Sequence, residues 1–253
     1  MTALSINLNK IALLRNAREG SYPDPVVFGR LCIEAGCQGI TVHPRPDQRH
    51  VRPDDVKRIA TLTAEYEHIE YNIEGNPFAE ARGDYPGFAT LVIANQPDQV
   101  TLVPDEDSQL TSDHGFDLNV SGEALAPLIK QFQSSQIRVS LFMDADPDQI
   151  HLAQEIGADR IELYTGPYAQ AFLTKDPEFP ELHKTFLESA ALAQTLGLGV
   201  NAGHDLNLSN LKKFVEIPGI LEVSIGHAFT VDSLLNGLES TVSSYLGILN
   251  RSS

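Results

Sequence analysis

Cysteine is scarce in this 253-residue chain, which contains only Cys32 and Cys37. Two cysteines flanking a predicted helix-to-strand junction indicate neither a disulfide framework nor a zinc site, so we expect free, buried thiols and a cytoplasmic protein. No run approaches the roughly 20 apolar residues that a bilayer span requires. The N-terminus also lacks a basic leader followed by an apolar core, so we expect no secretory signal.

Basic residues are few, with 18 Lys and Arg against 34 Asp and Glu and a formal net charge of −16. A strongly acidic surface repels nucleic acid and anionic membranes, and we therefore exclude both as partners. Half of the basic residues lie within the first 58 positions. An acidic protein that binds an anion must concentrate positive charge locally, and this clustering indicates where it does so.

Short β-branched runs alternate with amphipathic stretches along the whole chain, as in a parallel α/β fold. The predicted strands are Leu4–Asn9, Gly39–His43, Ile69–Glu74, Gln99–Pro104, Ile137–Asp144, Arg160–Thr165, Gly199–Ala202 and Glu222–Gly226. The predicted helices are Pro25–Gly36, Pro53–Glu65, Gly87–Asn95, Gly122–Ser134, Pro147–Gly157, Glu181–Gly197, Leu208–Val215 and Val231–Leu249.

The first strand is not followed by the Gly-rich turn that is typical of a doubly wound open sheet. We therefore predict an α/β fold of the (β/α)8 TIM-barrel class. Without repeats, low-complexity tracts or linkers, residues 1–253 are expected to form a single barrel domain. The longest stretches predicted to be irregular, Asp105–Val120 and Gly166–Pro180, follow strands and are expected to be lids or binding loops.

The segment from Gly39 to His50 contains the densest group of functional side chains. Its strand stops at His43, where two prolines prevent continuation as strand or helix. Arg45, Arg49 and His50 follow within the same loop. Imidazole and guanidinium groups together suit a phosphorylated or otherwise anionic substrate.

Polar and titratable side chains also occupy the ends of other predicted strands. Taken singly, each has a structural explanation, such as a hydrogen-bonded loop histidine for His43 or a turn cap for Glu74. In a barrel, however, strand ends converge on one pocket, and desolvated polar groups there need partners. The strand-end residues are Asn7, Asn9, Lys10, His43, Glu74, Glu162, His204 and His227.

Two places in the sequence suit phosphate groups. Gly226-His227 begins the last loop, where backbone amides leading into a helix bind phosphate well. Arg18, Arg45 and His50 could form a second anion site across the mouth. Two anion sites imply a substrate with two phosphates or two phosphorylated substrates.

Several segments together resemble the pyridoxine 5′-phosphate synthase family, in consistent order from about residue 4 to about residue 247. They are residues 7–18, 39–50, 72–77, 101–105, 160–165, 199–205 and 223–228. The resemblance implies a TIM barrel with extra helices, assembled from dimers into an octamer. It implies a transferase of vitamin B6 biosynthesis that needs neither a metal nor an organic cofactor. The implied reaction condenses 1-deoxy-D-xylulose 5-phosphate with 3-amino-2-oxopropyl phosphate into pyridoxine 5′-phosphate, phosphate and water.

The resemblance also implies residue roles. His43 matches the first proton acceptor, Glu74 the second, His204 the proton donor and Glu162 the transition-state stabiliser. The positions that match contacts to the amino-ketone phosphate are Asn7, Arg18, Gly226 and His227, and those that match contacts to the deoxyxylulose phosphate are Arg45, His50 and Thr111.

The chain departs from many family members at two places. It has Asn9-Lys10 where they have Asp-His, although one branch of the family also carries Asn-Lys. Lys10 retains a hydrogen-bond donor without the proton chemistry of imidazole. Asp205 replaces a glycine after the histidine. We retain these three residues as candidate substrate contacts.

Other functions suit the same residues. A Schiff-base aldolase would use Lys10 as its nucleophile. A metal-dependent epimerase would use His43, His204, Glu74 and Glu162 as ligands of a divalent ion. A barrel that senses phosphate without catalysis is the non-enzymatic alternative.

Overall fold

Eight short parallel strands form a closed barrel in the computed structural model, which describes residues 2–250. Each strand pairs with the next one along the chain, and the last pairs with the first. The strands are β1 (Ala3–Asn7), β2 (Gly39–Val42), β3 (Glu70–Gly75), β4 (Gln99–Leu102), β5 (Arg138–Met143), β6 (Arg160–Leu163), β7 (Gly199–Ala202) and β8 (Ile220–Ile225). The predicted (β/α)8 fold is confirmed, and every predicted strand is present with small shifts of its ends.

Eleven helices accompany these strands within residues 2–250. They are α1 (Asn9–Asn16), α2 (Pro25–Glu34), α3 (Pro53–Thr63), α4 (Phe88–Asn95), α5 (Leu118–Ser134), α6 (Pro147–Glu155), α7 (Gly166–Thr174), α8 (Phe179–Thr195), α9 (Leu211–Phe214), α10 (His227–Asn236) and α11 (Leu238–Leu249). Seven of the eight predicted helices agree with these bounds to within four residues. The eighth, Val231–Leu249, is two helices, because Gly237 takes a φ of 83° between them.

Helix α1 was not predicted, and the first strand is shorter than expected. The side chain of Asn7 accepts a hydrogen bond from the backbone N–H of Asn9 at 2.9 Å and turns the chain out of the strand. The predicted strand to Asn9 was therefore too long by two residues.

The expectation of an irregular loop over Gly166–Pro180 is wrong, because α7 occupies most of it. The Gly166-Pro167 pair lies in the first helical turn, where proline needs no N–H donor. Tyr168 of this helix is fully buried and packs against the rings of Phe179 and Phe214, with centroids 5.2 and 5.1 Å away. This tertiary packing stabilises the helix.

Side-chain caps and glycines mark several helix ends. Asp24 and Asp146 each accept a hydrogen bond from the backbone N–H two residues later, at 3.0 and 2.9 Å, and a proline begins each helix. The glycines expected to end helices take left-handed φ values of 106°, 88° and 83°, at Gly36, Gly157 and Gly197. These local signals set the helix ends independently of the barrel.

Alternate residues of each strand face different surroundings. One set is apolar and packs against the helices as the main core, for example Leu4 and Ile6 of β1. The other set is polar and meets inside the barrel, where Ser5 bonds Thr41 at 2.8 Å and Thr101 bonds Asn72 at 3.2 Å. Such lumens are more often filled by branched apolar side chains. This barrel is polar beneath its mouth.

Two other expectations concern cysteine and membrane association. Cys32 and Cys37 are buried free thiols, as expected. Among the helices of residues 2–250, none combines the length and the apolar character that a membrane span requires.

Candidate active site

A cavity of about 330 Å³ lies at the carboxyl ends of the strands. Thirteen of the fourteen predicted site residues line it: Asn7, Asn9, Lys10, His43, Arg45, His50, Glu74, Thr111, Glu162, His204, Asp205, Gly226 and His227. Arg18 is the exception, because it is exposed in the turn that follows α1. Parallel strands direct their carboxyl ends to one face of a barrel, which is why residues so distant in sequence meet here.

His43 lies at the centre of a buried charge cluster. Its backbone N–H donates to the side chain of Asn9 at 2.8 Å, which holds it directly after β2. Its Nε2 lies 3.0 Å from Asp105 Oδ2, and its Nδ1 lies 3.7 Å from Glu74 Oε2. Burial disfavours the imidazolium, but the hydrogen bond and charge of Asp105, with help from Glu74, raise the pKa of His43 to about 9. His43 is therefore protonated at neutral pH.

Asp105 is a site residue that sequence reasoning missed. It follows β4 and is buried between His43 and Arg45. Arg45 Nη2 lies 2.6 Å from Asp105 Oδ2. Burial works to raise the pKa of its carboxyl, but the His43 and Arg45 cations hold that pKa well below its usual range. The available signal was its place after Pro104 at a strand end, which is the same position rule that identified His43.

Glu74 of β3 and Glu162 of β6 are the two strand carboxyl groups that line the cavity. Glu74 Oε2 accepts a hydrogen bond from Asn7 Nδ2 at 3.2 Å. Burial, with the nearby charges of Glu74 and Glu222, raises the pKa of Glu162 well above its usual range. Glu162 is then a neutral acid that can donate a proton or a hydrogen bond.

His204 follows β7 on the far side of the mouth. Its carbonyl accepts a hydrogen bond from the Thr165 hydroxyl, and its Nε2 lies 3.4 Å from Thr111 Oγ1. The ring packs against Tyr164 with centroids 5.4 Å apart. Burial lowers the pKa of His204 despite the nearby carboxylate of Asp205. At neutral pH His204 is therefore neutral while His43 is charged.

The chain between β7 and His204 requires glycine. A Cβ atom on Gly203 would lie 2.1 Å from the carbonyl oxygen of Ser224 in β8. The backbone of the neighbouring strand β8 therefore approaches this glycine closely. Asp205 then takes a left-handed φ of 63°, which Asp adopts more readily than most residues and glycine adopts freely.

His50 is buried and its protonation state is set locally. Its Nδ1 accepts a hydrogen bond from the backbone N–H of Val51 at 2.9 Å. Burial, together with the charges of His43, Arg45 and Lys10, lowers the pKa of His50 to about 3. A neutral imidazole with an acceptor at Nδ1 carries its hydrogen on Nε2. His50 therefore offers one uncharged donor.

The amino end of α10 adds backbone donors to the pocket. Gly226 follows β8, and the helix begins at His227. A Cβ on Gly226 would come within 3.1 Å of Asn7 Cβ, so the two loops pack closely. Free N–H groups at a helix N-terminus attract phosphate. This confirms the geometry expected of the last loop.

Two further observations concern other sites. A larger groove of about 1080 Å³ lies near the amino ends of the strands, but Lys212 and Glu216 are the only titratable residues that line it among those described. Within residues 2–250, no group of three or more His, Cys, Asp or Glu side chains is arranged to hold a metal ion.

Comparison with known proteins gives a family match and close relatives. The family model described as "Pyridoxal phosphate biosynthesis protein PdxJ" matches residues 4–251. A pyridoxine 5′-phosphate synthase of Xanthomonas axonopodis pv. citri is 54% identical over 249 residues, covering 98% of this chain and 96% of the relative. The one of Xylella fastidiosa is 51% identical over 250 residues, covering 98% and 95%.

Solved structures show the same fold at low identity. The tryptophan synthase alpha subunit of Legionella pneumophila superposes with a TM-score of 0.63 at 11% identity, covering 99% of this chain and 93% of that one. A KGPDC structure from Streptococcus mutans gives 0.61 at 12% identity, covering 99% and 98%. At such identities these likenesses concern the barrel alone.

Proposed function

Since the chain belongs to the PdxJ family of pyridoxal phosphate biosynthesis proteins, we propose that the cavity at its barrel mouth is the active site of a pyridoxine 5′-phosphate synthase. The chain is an enzyme with this activity, because relatives that are more than 50% identical to it are named pyridoxine 5′-phosphate synthase. The reaction joins 1-deoxy-D-xylulose 5-phosphate and 3-amino-2-oxopropyl phosphate and releases phosphate and water. The observation that best supports this site is His43, held between Glu74 and Asp105 in a cavity that also contains Glu162 and His204.

His43 and Glu74 form the proposed proton relay. Imine formation and elimination each move protons, and a positioned acid or base typically contributes about 10²–10⁴-fold in rate. His43 starts as the imidazolium, so in this proposal Glu74 takes the first proton and His43 accepts one after it has delivered its own. This reverses the order of the two acceptors that the resemblance implies. Asp105 holds the ring in this orientation.

Glu162 and His204 serve the later steps in this proposal. Glu162, which starts as a neutral acid, gives up its proton as cationic iminium character develops and then stabilises that charge. A bound phosphate brings negative charge beside His204 and favours its protonated form. His204 then protonates the leaving hydroxyl or phosphate.

The phosphate groups bind at opposite sides of the mouth. Gly226 and His227, with Asn7, receive the amino-ketone phosphate at the start of α10. Arg45, His50 and Thr111 receive the deoxyxylulose phosphate. Arg45 also bonds Asp105 and carbonyls of the β4 loop, so it would contact this phosphate from a fixed position. Asn9, Lys10 and Asp205 line the space between the two sites.

A direct experiment tests this function. Purified protein mixed with both proposed substrates should form pyridoxine 5′-phosphate and release inorganic phosphate in equal amounts. No product from the parent protein would contradict the function. Borohydride added with the ketone substrates should not trap Lys10, whereas a covalent adduct there would indicate the aldolase, which the family membership does not favour.

We also propose that the chain assembles into a homo-octamer built from dimers and works in the cytoplasm. Exposed apolar side chains on three neighbouring helices support self-association: Leu13 and Leu14 of α1, Val27 and Leu31 of α2, and Leu234 and Leu235 of α10. The buried thiols are compatible with a reducing compartment. Native mass spectrometry tests the assembly, and cell fractionation tests the location.

Residues 1–253 are further proposed to form a single domain. All described strands share one barrel, and one hydrophobic core extends from Leu4 to Leu249. A single cooperative unfolding transition, followed by two different probes, would test this organisation.

A further inference from the structure

The loop that joins β4 to α5 crosses the mouth of the barrel. Residues 103–117 contain no helix or strand, and Leu110, Thr111 and Ser112 of this loop line the cavity. Thr111 Oγ1 comes within 3.4 Å of His204 Nε2, which follows a strand three positions further around the barrel. The loop thus covers the substrate space.

Arg49 holds this loop from outside the cavity. Its Nη1 donates to the carbonyl of Gln109 at 2.7 Å, and its Nη2 donates to the carbonyl of Asp107 at 2.8 Å. The guanidinium is itself oriented by Asp47, which accepts from Nε at 2.7 Å. Two charge-assisted hydrogen bonds from one planar group fix both the position and the direction of the loop backbone.

Arg82, in the loop that joins β3 to α4, supports the turn at residues 106–109. Its Nη1 lies 2.5 Å from Asp107 Oδ2. Arg45 donates to the carbonyl of Gln109 as well, at 2.8 Å, so three arginines hold residues 106–109. The turn lacks secondary structure, and these side chains replace the hydrogen bonds that a regular element would supply.

Arg49 differs from Arg45 in its relation to the cavity. Arg45 lines the cavity and belongs to the buried charge cluster, so its loss would disturb the site directly. Arg49 does not line the cavity, and its side chain is 24% exposed. Its connection to the chemistry runs through the loop.

We propose that Arg49, supported by Arg82, is a positioning residue that holds the β4–α5 loop closed over the substrates. Closure retains the phosphorylated ligands and keeps water out while the ring forms. Arg49 thereby sets substrate residence and leaves the proton-transfer groups untouched. The proposal rests on the proposed function for its substrates but not for the loop geometry.

The experiment compares Arg49→Ala, Arg49→Lys and a matched control. Arg30→Ala removes another surface guanidinium, on α2, that makes two hydrogen bonds to Glu65 and one to the hydroxyl of Tyr66. Amide hydrogen exchange of residues 105–112 is measured without substrate, and KM and kcat with both substrates. Arg49→Ala should accelerate exchange there by about tenfold and raise KM by a similar factor. Its kcat should change less than about threefold.

The conservative variant and the alternatives decide the role. Arg49→Lys, which can reach one carbonyl, should give intermediate exchange and KM, and Arg30→Ala should match the parent. Parent-like exchange in Arg49→Ala would overturn the proposal. A higher KM with unchanged exchange would also overturn it, because Arg49 would then act through its charge alone. Faster exchange with an unchanged KM would overturn it too, because the loop would then not control substrate binding. If the parent forms no product, the proposed function fails, and binding of inorganic phosphate replaces KM in the same comparison.

Discussion

His43 Nε2 lies 3.0 Å from Asp105 Oδ2, and this contact determines which histidine of the pocket is charged. The ring centroids of His43 and His50 lie 6.3 Å apart. The pKa of His43 is raised to about 9, whereas the pKa of His50 is lowered to about 3. Burial lowers the pKa of both rings, but the carboxylates that contact His43 outweigh it, whereas the cations around His50 add to it. One pocket therefore holds a cationic acid beside a neutral donor.

Removal of the Asp105 charge should change the pH dependence of the reaction. In Asp105→Asn, His43 keeps a neighbour of the same size but loses the charge that raises its pKa. The parent should lose activity as the pH rises through about 9, where His43 loses its proton. The variant should lose activity at a lower pH. At neutral pH kcat/KM should fall by about 10²-fold. Asp113→Asn, an exposed carboxylate on the same loop, is the control for the kcat/KM profile, and an unshifted alkaline limb in Asp105→Asn would contradict the role of the pair.

Glu162→Gln should separate binding from proton transfer. The amide keeps the size of the neutral acid and one hydrogen-bond donor, so KM should remain within about threefold of the parent. The amide cannot release a proton or become an anion, so kcat should fall by about 10²-fold or more. Steady-state kinetics measure both quantities. A normal kcat would remove Glu162 from the mechanism.

Gly203→Ala should damage fold and activity together. Its Cβ would meet the Ser224 carbonyl oxygen at 2.1 Å, and a backbone neighbour cannot move aside as a flexible side chain can. We expect a loss of about 2–3 kcal/mol in the free energy of unfolding, which is typical of overpacking, with reduced kcat from a displaced His204. Gly247→Ala in α11 is the control, because no atom lies within 4 Å of its Cβ position. Urea unfolding of that variant should show equal or greater stability.

Glu222 should make the free energy of unfolding depend on pH. Burial raises its pKa from 4.5 to about 7, although Arg160 lies 3.8 Å away. The folded state therefore binds the proton more tightly, and this stabilisation is lost as pH rises from 4.5 to about 7. Relative to the parent, the free energy of unfolding of Glu222→Gln should rise by up to about 3 kcal/mol as the pH increases over that interval, at 1.36 kcal/mol per pH unit.

Denaturant titrations at the two ends of that pH range measure the effect. Glu155→Gln, which removes an exposed carboxylate on α6, is the matched control. An equal difference between Glu222→Gln and parent at both pH values would contradict the raised pKa.

Much of the site was predictable because parallel strands present their ends on one face. Once Gly39–His43 and Gly199–Ala202 were recognised as strands, His43 and His204 had to lie near one another. The cap at Asp24 and the left-handed Gly36 were likewise predictable, since both depend on neighbours within a few residues. The resemblance to a family added the candidate roles, which periodicity alone does not contain.

Other features depended on contacts between distant segments. Asp105 was missed because its importance arises from the fold of the β4 loop toward His43 and Arg45. Helix α7 was missed because a Gly-Pro pair suits a turn as well as a helix start, and the aromatic neighbours of Tyr168 decide between them. Arg18, which the sequence also predicts to be a site residue, does not line this cavity, and its role stays a prediction.

The sequence by itself determined the order of strands and helices, the barrel class and most of the residues around its mouth. These follow from periodicity, glycine and proline placement and the geometry of parallel strands. Only the tertiary structure decided the charge of each histidine, the neutral state of Glu162 and the place of Arg49. Those properties depend on burial and on atoms a few ångströms apart in space but tens of residues apart in the chain.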